Sequence, residues 1–108
     1  MMVSFLGIKQ LTNVIRHFKI EKIMLGLVEA MIQDFKQWHS FSHQPRVASY
    51  FDEGVIELMP IHNKAHYSFK YVNGHPFNTQ HNKLSVTGFG VLAEIASGYP
   101  IFIAEMTL

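Results

Sequence analysis

The sequence predicts an α+β fold, with two N-terminal helices followed by a mostly antiparallel sheet of about five strands. Three observations predict it. Apolar residues recur at three- and four-residue steps up to Trp38, and at alternate positions after Arg46. The apolar stretches after Arg46 are separated by short Gly, Pro and Asn turns, which favour antiparallel neighbours. The chain has 108 residues, 48% of them hydrophobic, enough for one small core and one domain over 1–108.

The elements follow in order. Ile8, Leu11, Ile15 and Phe18 outline a short first helix. Ile20, Ile23, Met24, Leu27, Met31, Phe35 and Trp38 outline a longer amphipathic one, with Glu21, Lys22, Glu29, Asp34 and Lys36 mostly on its other side. Residues 41–45 (FSHQP) read as a linker. A first strand runs from Val47 to Phe51 and stops at the turn Asp52-Glu53-Gly54. Val55–Ile61 is the second, ended by His62-Asn63-Lys64. His66–Val72 is the third, stopped by Asn73-Gly74-His75-Pro76, and residues 78–83 read as a polar loop. Leu84–Ile95 is a long fourth strand containing two glycines. Ser97-Gly98 turns the chain into a fifth, Pro100–Glu105. One helix is expected to cover one face of the sheet. Phe69, Phe89, Val91, Ile101 and Ile103 then exceed what two short helices can shield, so the other face is expected to meet a partner, a second copy of the chain or a further domain.

Composition narrows the function. Nine basic and eight acidic residues give a net charge of +1 and no basic stripe, so nucleic acid is not expected as a partner. The absence of cysteine excludes a disulfide scaffold, a zinc ribbon and a thiol nucleophile. The N-terminal apolar run is too short for a signal peptide and no run approaches a membrane span, so a cytoplasmic protein without membrane contact is expected. The seven histidines are scattered, and no metal site is expected.

Charges set into apolar strands are costly without partners, which singles out three residues. Lys70 lies mid-strand on the face of Ser68 and Val72; it either meets an anion or marks an edge strand against aggregation. Glu57 shares a face with Val55 and Met59; it is either a structural partner of Lys70 or Arg46, or an acid/base group. Arg46 opens the first strand after Pro45, as a two-point carboxylate binder or as a solvated strand-end residue. Gly88–Ala93 matches a dinucleotide fingerprint only superficially. That fingerprint requires a helix opening at its second glycine, whereas Ser97-Gly98-Tyr99-Pro100 closes this element. The glycines are therefore expected inside a strand, at a bulge or a close approach. Ser85 and Thr87 flank them with hydroxyls that are either functional or ordinary strand residues.

PRVASY, GVIELMP, YSFKYVNGHPFNT and VTGFGVLAEIASGYPIFIAEMTL together resemble the amino-terminal domain of the ornithine cyclodeaminase/mu-crystallin family, over Arg46–Leu108 closely and the preceding helices loosely. Within it, FKYVNGHP and GVIELMP look most like the bacterial ornithine cyclodeaminases. The resemblance implies conversion of L-ornithine to L-proline and ammonia, with a tightly held NAD accepting and returning a hydride. It implies that Arg46 and Lys70 bind the carboxylate of L-ornithine or a similar amino acid, that Glu57 is a catalytic candidate near the substrate, and that Ser85, where relatives usually carry Thr, and Thr87 approach the cofactor. It further implies a homodimer built through the sheet. The family's Rossmann domain has no counterpart in these residues, nor has the arginine-bearing segment that follows EMTL in relatives. A truncated chain, inactive alone, is the expectation. A non-catalytic dimerisation module, or part of a related ketimine reductase or alanine dehydrogenase, is the alternative.

Overall fold

The structure, a computed structural model, describes residues 2–107. The change of hydrophobic period near residue 40 becomes a change of secondary structure. Ahead of it are a short strand β1 (Ser4–Leu6) and the helices α1 (Ile8–Phe18) and α2 (Ile20–Lys36). After it come β2 (Ser42–His43), β3 (Val47–Phe51), β4 (Gly54–His62), β5 (His66–Gly74), β6 (Val86–Glu94) and β7 (Pro100–Glu105). Single turns of 3₁₀ helix occupy Trp38–Ser40 and Pro76–His81.

The seven strands form one sheet in the order β1-β7-β6-β5-β4-β2, with β3 also paired to β4. All pairings are antiparallel except β1 with β7. Two strands thus exceed the expected five. β1 is too short to show a period, and it is held by pairing Ser4, Phe5 and Leu6 with Phe102, Ile103 and Ala104. The FSHQP segment is not a free linker, because Ser42 and His43 pair with His62 and Ile61 beyond the end of β3. The polar loop at 78–83 is largely the 3₁₀ turn, closed where the Asn78 side-chain amide donates to Leu84 O at 3.0 Å.

The turns are chemically specified. Asn63 Oδ1 accepts from the amides of Ala65 (2.9 Å) and His66 (2.8 Å), which turns β4 into β5. Gly54 ends the β3–β4 turn where a Cβ would lie 2.1 Å from Gly74 O, so a side chain has no room there. Gly98 adopts φ +74°, the left-handed conformation a glycine supplies readily. Lys19, which separates α1 from α2, has φ 63° and ψ 148°, a conformation costly for a side-chain-bearing residue.

Register divides the sheet into two faces, since residues directly opposite share a side. The front face carries Ala48, Glu57, Met59, Ile61, Ser68, Lys70, Val72, Gly88, Gly90, Leu92 and Ala104. The back face carries Val47, Leu58, Pro60, Phe69, Tyr71, Phe89, Val91 and Ile103. Four of the five residues expected on one apolar face do share it. Ile101 falls where the register shifts opposite Leu92 and Ala93.

Helix coverage is less than expected. The C-terminal end of α2 reaches the front face, where Phe35, Trp38, His43, Ile61, Ser68 and Leu92 line a cleft of about 400 Å³. Along its length α2 stays open, with Met24, Leu27, Met31 and Phe35 each more than half exposed. No apolar side chain among the described residues is fully buried, and on the back face Phe89 is exposed while Phe69 and Tyr71 are part-buried. No helix among the described residues is long and apolar enough to cross a membrane.

Candidate functional site

Three charged residues that the sequence singled out share the front face, two of them in contact. Glu57 sits in β4 opposite Ala48 of β3 and Val72 of β5. Lys70 sits in β5 opposite Met59 of β4 and Gly90 of β6, which places it diagonally from Glu57. Arg46 immediately precedes β3 and reaches to the neighbouring strand, donating from Nη1 to Glu57 Oε2 at 3.3 Å. Its side chain is 60% exposed and that of Glu57 19%, so the arginine is the open member of the pair.

Lys70 is not an edge-strand lysine, because β5 lies between β4 and β6. It is half-buried, not enclosed, and no hydrogen-bond or ion-pair partner among the described residues neutralises it. A shallow groove of about 330 Å³ passes over it, lined among others by Met59, Lys70, Gly90, Ala104 and Met106. Gly90 keeps the groove open, since a Cβ there would stand 2.6 Å from Met106 Sδ. This groove and the larger cleft at the end of α2 share Ile61, Ser68 and Leu92, so they form one trough along the front face. An ammonium in the trough, with a guanidinium on the same face, is suited to hold a carboxylate.

The hydroxyls lie elsewhere. Thr87 pairs with Asn73 on the back face, and its Oγ1 donates to Asn73 Oδ1. Ser85 just precedes β6, half-exposed, and its carbonyl accepts from His75 N at 2.7 Å. Its own hydroxyl has no partner among the described residues and remains available as a donor. Gly88 and Gly90 are within β6, with no helix opening behind them, so the described residues include no phosphate-cradling loop. Among the described residues no three His, Asp or Glu side chains gather as metal ligands.

Asn73 was missed by sequence reasoning. It is the one buried polar side chain among the described residues, 8% exposed. Its Oδ1 accepts from Thr87 N at 3.1 Å and its Nδ2 donates to His75 Nδ1 at 3.0 Å, which ties the NGHP turn to β6. The signal was an Asn inside a strand-forming run, which reads equally well as a turn. The EMT segment after β7 was likewise opaque. Met106 N donates to Gly88 O and Gly88 N donates to Thr107 Oγ1, each at 3.0 Å, so this segment stays fastened to β6.

The profile of the ornithine cyclodeaminase/mu-crystallin family matches residues 8–108. The chain is 43% identical over 106 residues to an ornithine cyclodeaminase of Brucella abortus, covering 98% of this chain and 30% of that protein. It is 42% identical over 106 residues to one of Agrobacterium fabrum, with the same coverage. The chain thus spans about a third of the length of the curated relatives it matches. Its fold superposes on a lysine cyclodeaminase solved for recognition of L-lysine, L-ornithine and L-2,4-diaminobutyric acid, with TM-score 0.83, 17% identity, and coverage of 97% of this chain and 33% of that one. It also superposes on an archaeal alanine dehydrogenase dimer with bound NAD, with TM-score 0.76, 20% identity, and coverage of 99% and 32%. The chain belongs to the ornithine cyclodeaminase/mu-crystallin family.

Proposed function

We propose that this chain is the substrate-carboxylate-binding and association part of an ornithine cyclodeaminase, the enzyme class that converts L-ornithine to L-proline and ammonia. One observation carries the reading: Arg46, Glu57 and Lys70 share the front face of the sheet in a chain that is 43% identical over 106 residues to a named ornithine cyclodeaminase. Arg46 offers the planar fork that matches a carboxylate, and Lys70 supplies a second positive charge in the trough. Glu57, the one carboxylate of the trio, is the acid/base candidate for the reaction and adds no affinity of its own for the substrate.

NAD would supply hydride acceptance and return. Ser85 would give it one hydroxyl contact, while the Thr87 hydroxyl, committed to Asn73, would brace the strand. Most of the cofactor's contacts would come from outside these residues, so the 108-residue chain alone is expected to produce no proline from L-ornithine and NAD. Proline appearing in that assay would overturn this part of the reading. In L-ornithine titrations of the chain, Arg46→Ala and Lys70→Ala are each expected to weaken binding about ten- to a hundredfold, the loss of one charge-assisted contact. Unchanged affinity in Lys70→Ala would remove its role.

The association part rests on the back face. Tyr71 stacks on Phe89 at 5.2 Å, Phe69 meets Phe89 edge-on at 6.2 Å, and Phe89 at the centre of this row is open to solvent. A second copy of the chain placed face to face would cover it, in keeping with the dimer of the archaeal structural neighbour.

A further inference from the structure

The geometry points to Glu57 as a positioning residue for Arg46, holding the guanidinium so that its Nε/Nη2 edge faces an incoming carboxylate; this rests on the carboxylate reading of Arg46 given above. A guanidinium has an end edge, Nη1 with Nη2, and a side edge, Nε with Nη2. Either can take a carboxylate through two parallel hydrogen bonds. Glu57 uses a single contact, Nη1 to Oε2 at 3.3 Å, and no hydrogen bond from Nε or Nη2 forms among the described residues. The side edge is therefore complete and open.

The exposures fit this division of labour. Glu57 is anchored mid-strand in β4, paired to both β3 and β5, and its side chain is 19% exposed. Arg46 lies outside any strand and is 60% exposed. A long exposed side chain outside regular structure loses much rotamer freedom when a ligand fixes it, and a fixed neighbour that already restrains it lowers that loss. The anchored carboxylate is short of the ideal two-point geometry, so it restrains Arg46 without consuming it. Lys70, diagonal to Glu57 on the same face and without a partner among the described residues, adds charge but no planar edge.

A competing role is that Glu57 simply blocks Arg46, as an internal stand-in for the ligand carboxylate. The two roles predict opposite signs. L-ornithine binding to the 108-residue chain would be followed by NMR at the Arg46 Nε–Hε group and at the backbone amides of Lys70 and Gly90. Glu57→Ala is expected to weaken binding about two- to tenfold, the cost of ordering one rotamer-rich side chain on binding, and to loosen Arg46 Nε–Hε on the ps–ns scale without loosening Lys70. Glu57→Gln, which keeps an acceptor at the same place, is expected to restore both. Glu57→Leu fills the same space without an acceptor and serves if the alanine variant does not fold; it should behave like Glu57→Ala. In an Arg46→Ala background, Glu57→Ala should cause no further loss. Tighter or unchanged binding in Glu57→Ala and Glu57→Leu overturns the positioning role while Arg46→Ala still weakens binding. If Arg46→Ala itself leaves affinity unchanged, the carboxylate reading beneath it fails and the inference with it.

Discussion

Single residues on this sheet differ sharply in what surrounds them. Asn73 is buried with both ends of its amide engaged, so Asn73→Ala removes the acceptor of the Thr87 hydroxyl and the tie to His75 and should cost about 1–3 kcal/mol in denaturant unfolding. Two of the glycines with little room for a side chain should also separate. At Gly54 a Cβ meets backbone, 2.1 Å from Gly74 O, whereas at Gly90 it meets the movable Sδ of Met106 at 2.6 Å. Gly54→Ala should therefore destabilise by about 2–3 kcal/mol and Gly90→Ala by under about 1.5 kcal/mol, the range seen between backbone shifts and simple repacking. Equal losses would show that Met106 is as rigid as the turn. Charged residues inside apolar runs were legible, because burying charge demands a reason. Glu57 as a partner of Arg46 was legible only as one of several options, since the register decides it. Asn73 was not legible, because an Asn before Gly looks the same whether its side chain caps a turn or crosses to the next strand.

At the scale of elements, both helices and the five longer strands could be read from period and turn chemistry. β1 and β2 could not. Segments of three and two residues carry no period, and both exist only through the partners they pair with, β7 and β4. The break between the helices is held by Lys19 in a conformation that favours glycine. Lys19→Gly should raise stability by about 1 kcal/mol, strain relief of 1–3 kcal/mol less the entropic cost of the glycine. A loss of stability would mean that Lys19 contributes something its backbone does not reveal. Helix α2 was read as amphipathic, with one side against the sheet. In the structure Leu25, Val28 and Ile32 extend its apolar surface around the helix, and all three are about half exposed or more. The sequence pattern shows that such a surface needs covering, but not by which element.

At the scale of the whole molecule, the defining property is a well-paired sheet with no buried apolar core among the described residues. Strand pairing is complete from β2 to β1, yet both faces keep large apolar side chains in reach of solvent. A chain of this kind is expected to self-associate. Sedimentation should show a dimer at micromolar concentration, and Phe89→Glu, which places a charge in the middle of the back-face aromatic row, should shift it toward monomer with little change in secondary structure. A clean monomer of the unmodified chain would refute the pairing. The front face carries the central claim, that Arg46 and Lys70 form a site for an amino-acid carboxylate. The most direct measurement compares L-ornithine with putrescine, the same diamine chain without its carboxylate, in NMR titrations of the 108-residue protein. The account predicts saturable shifts at Arg46, Lys70 and Gly90 with L-ornithine and none with putrescine. Equal shifts with both ligands, or none with L-ornithine, would contradict it.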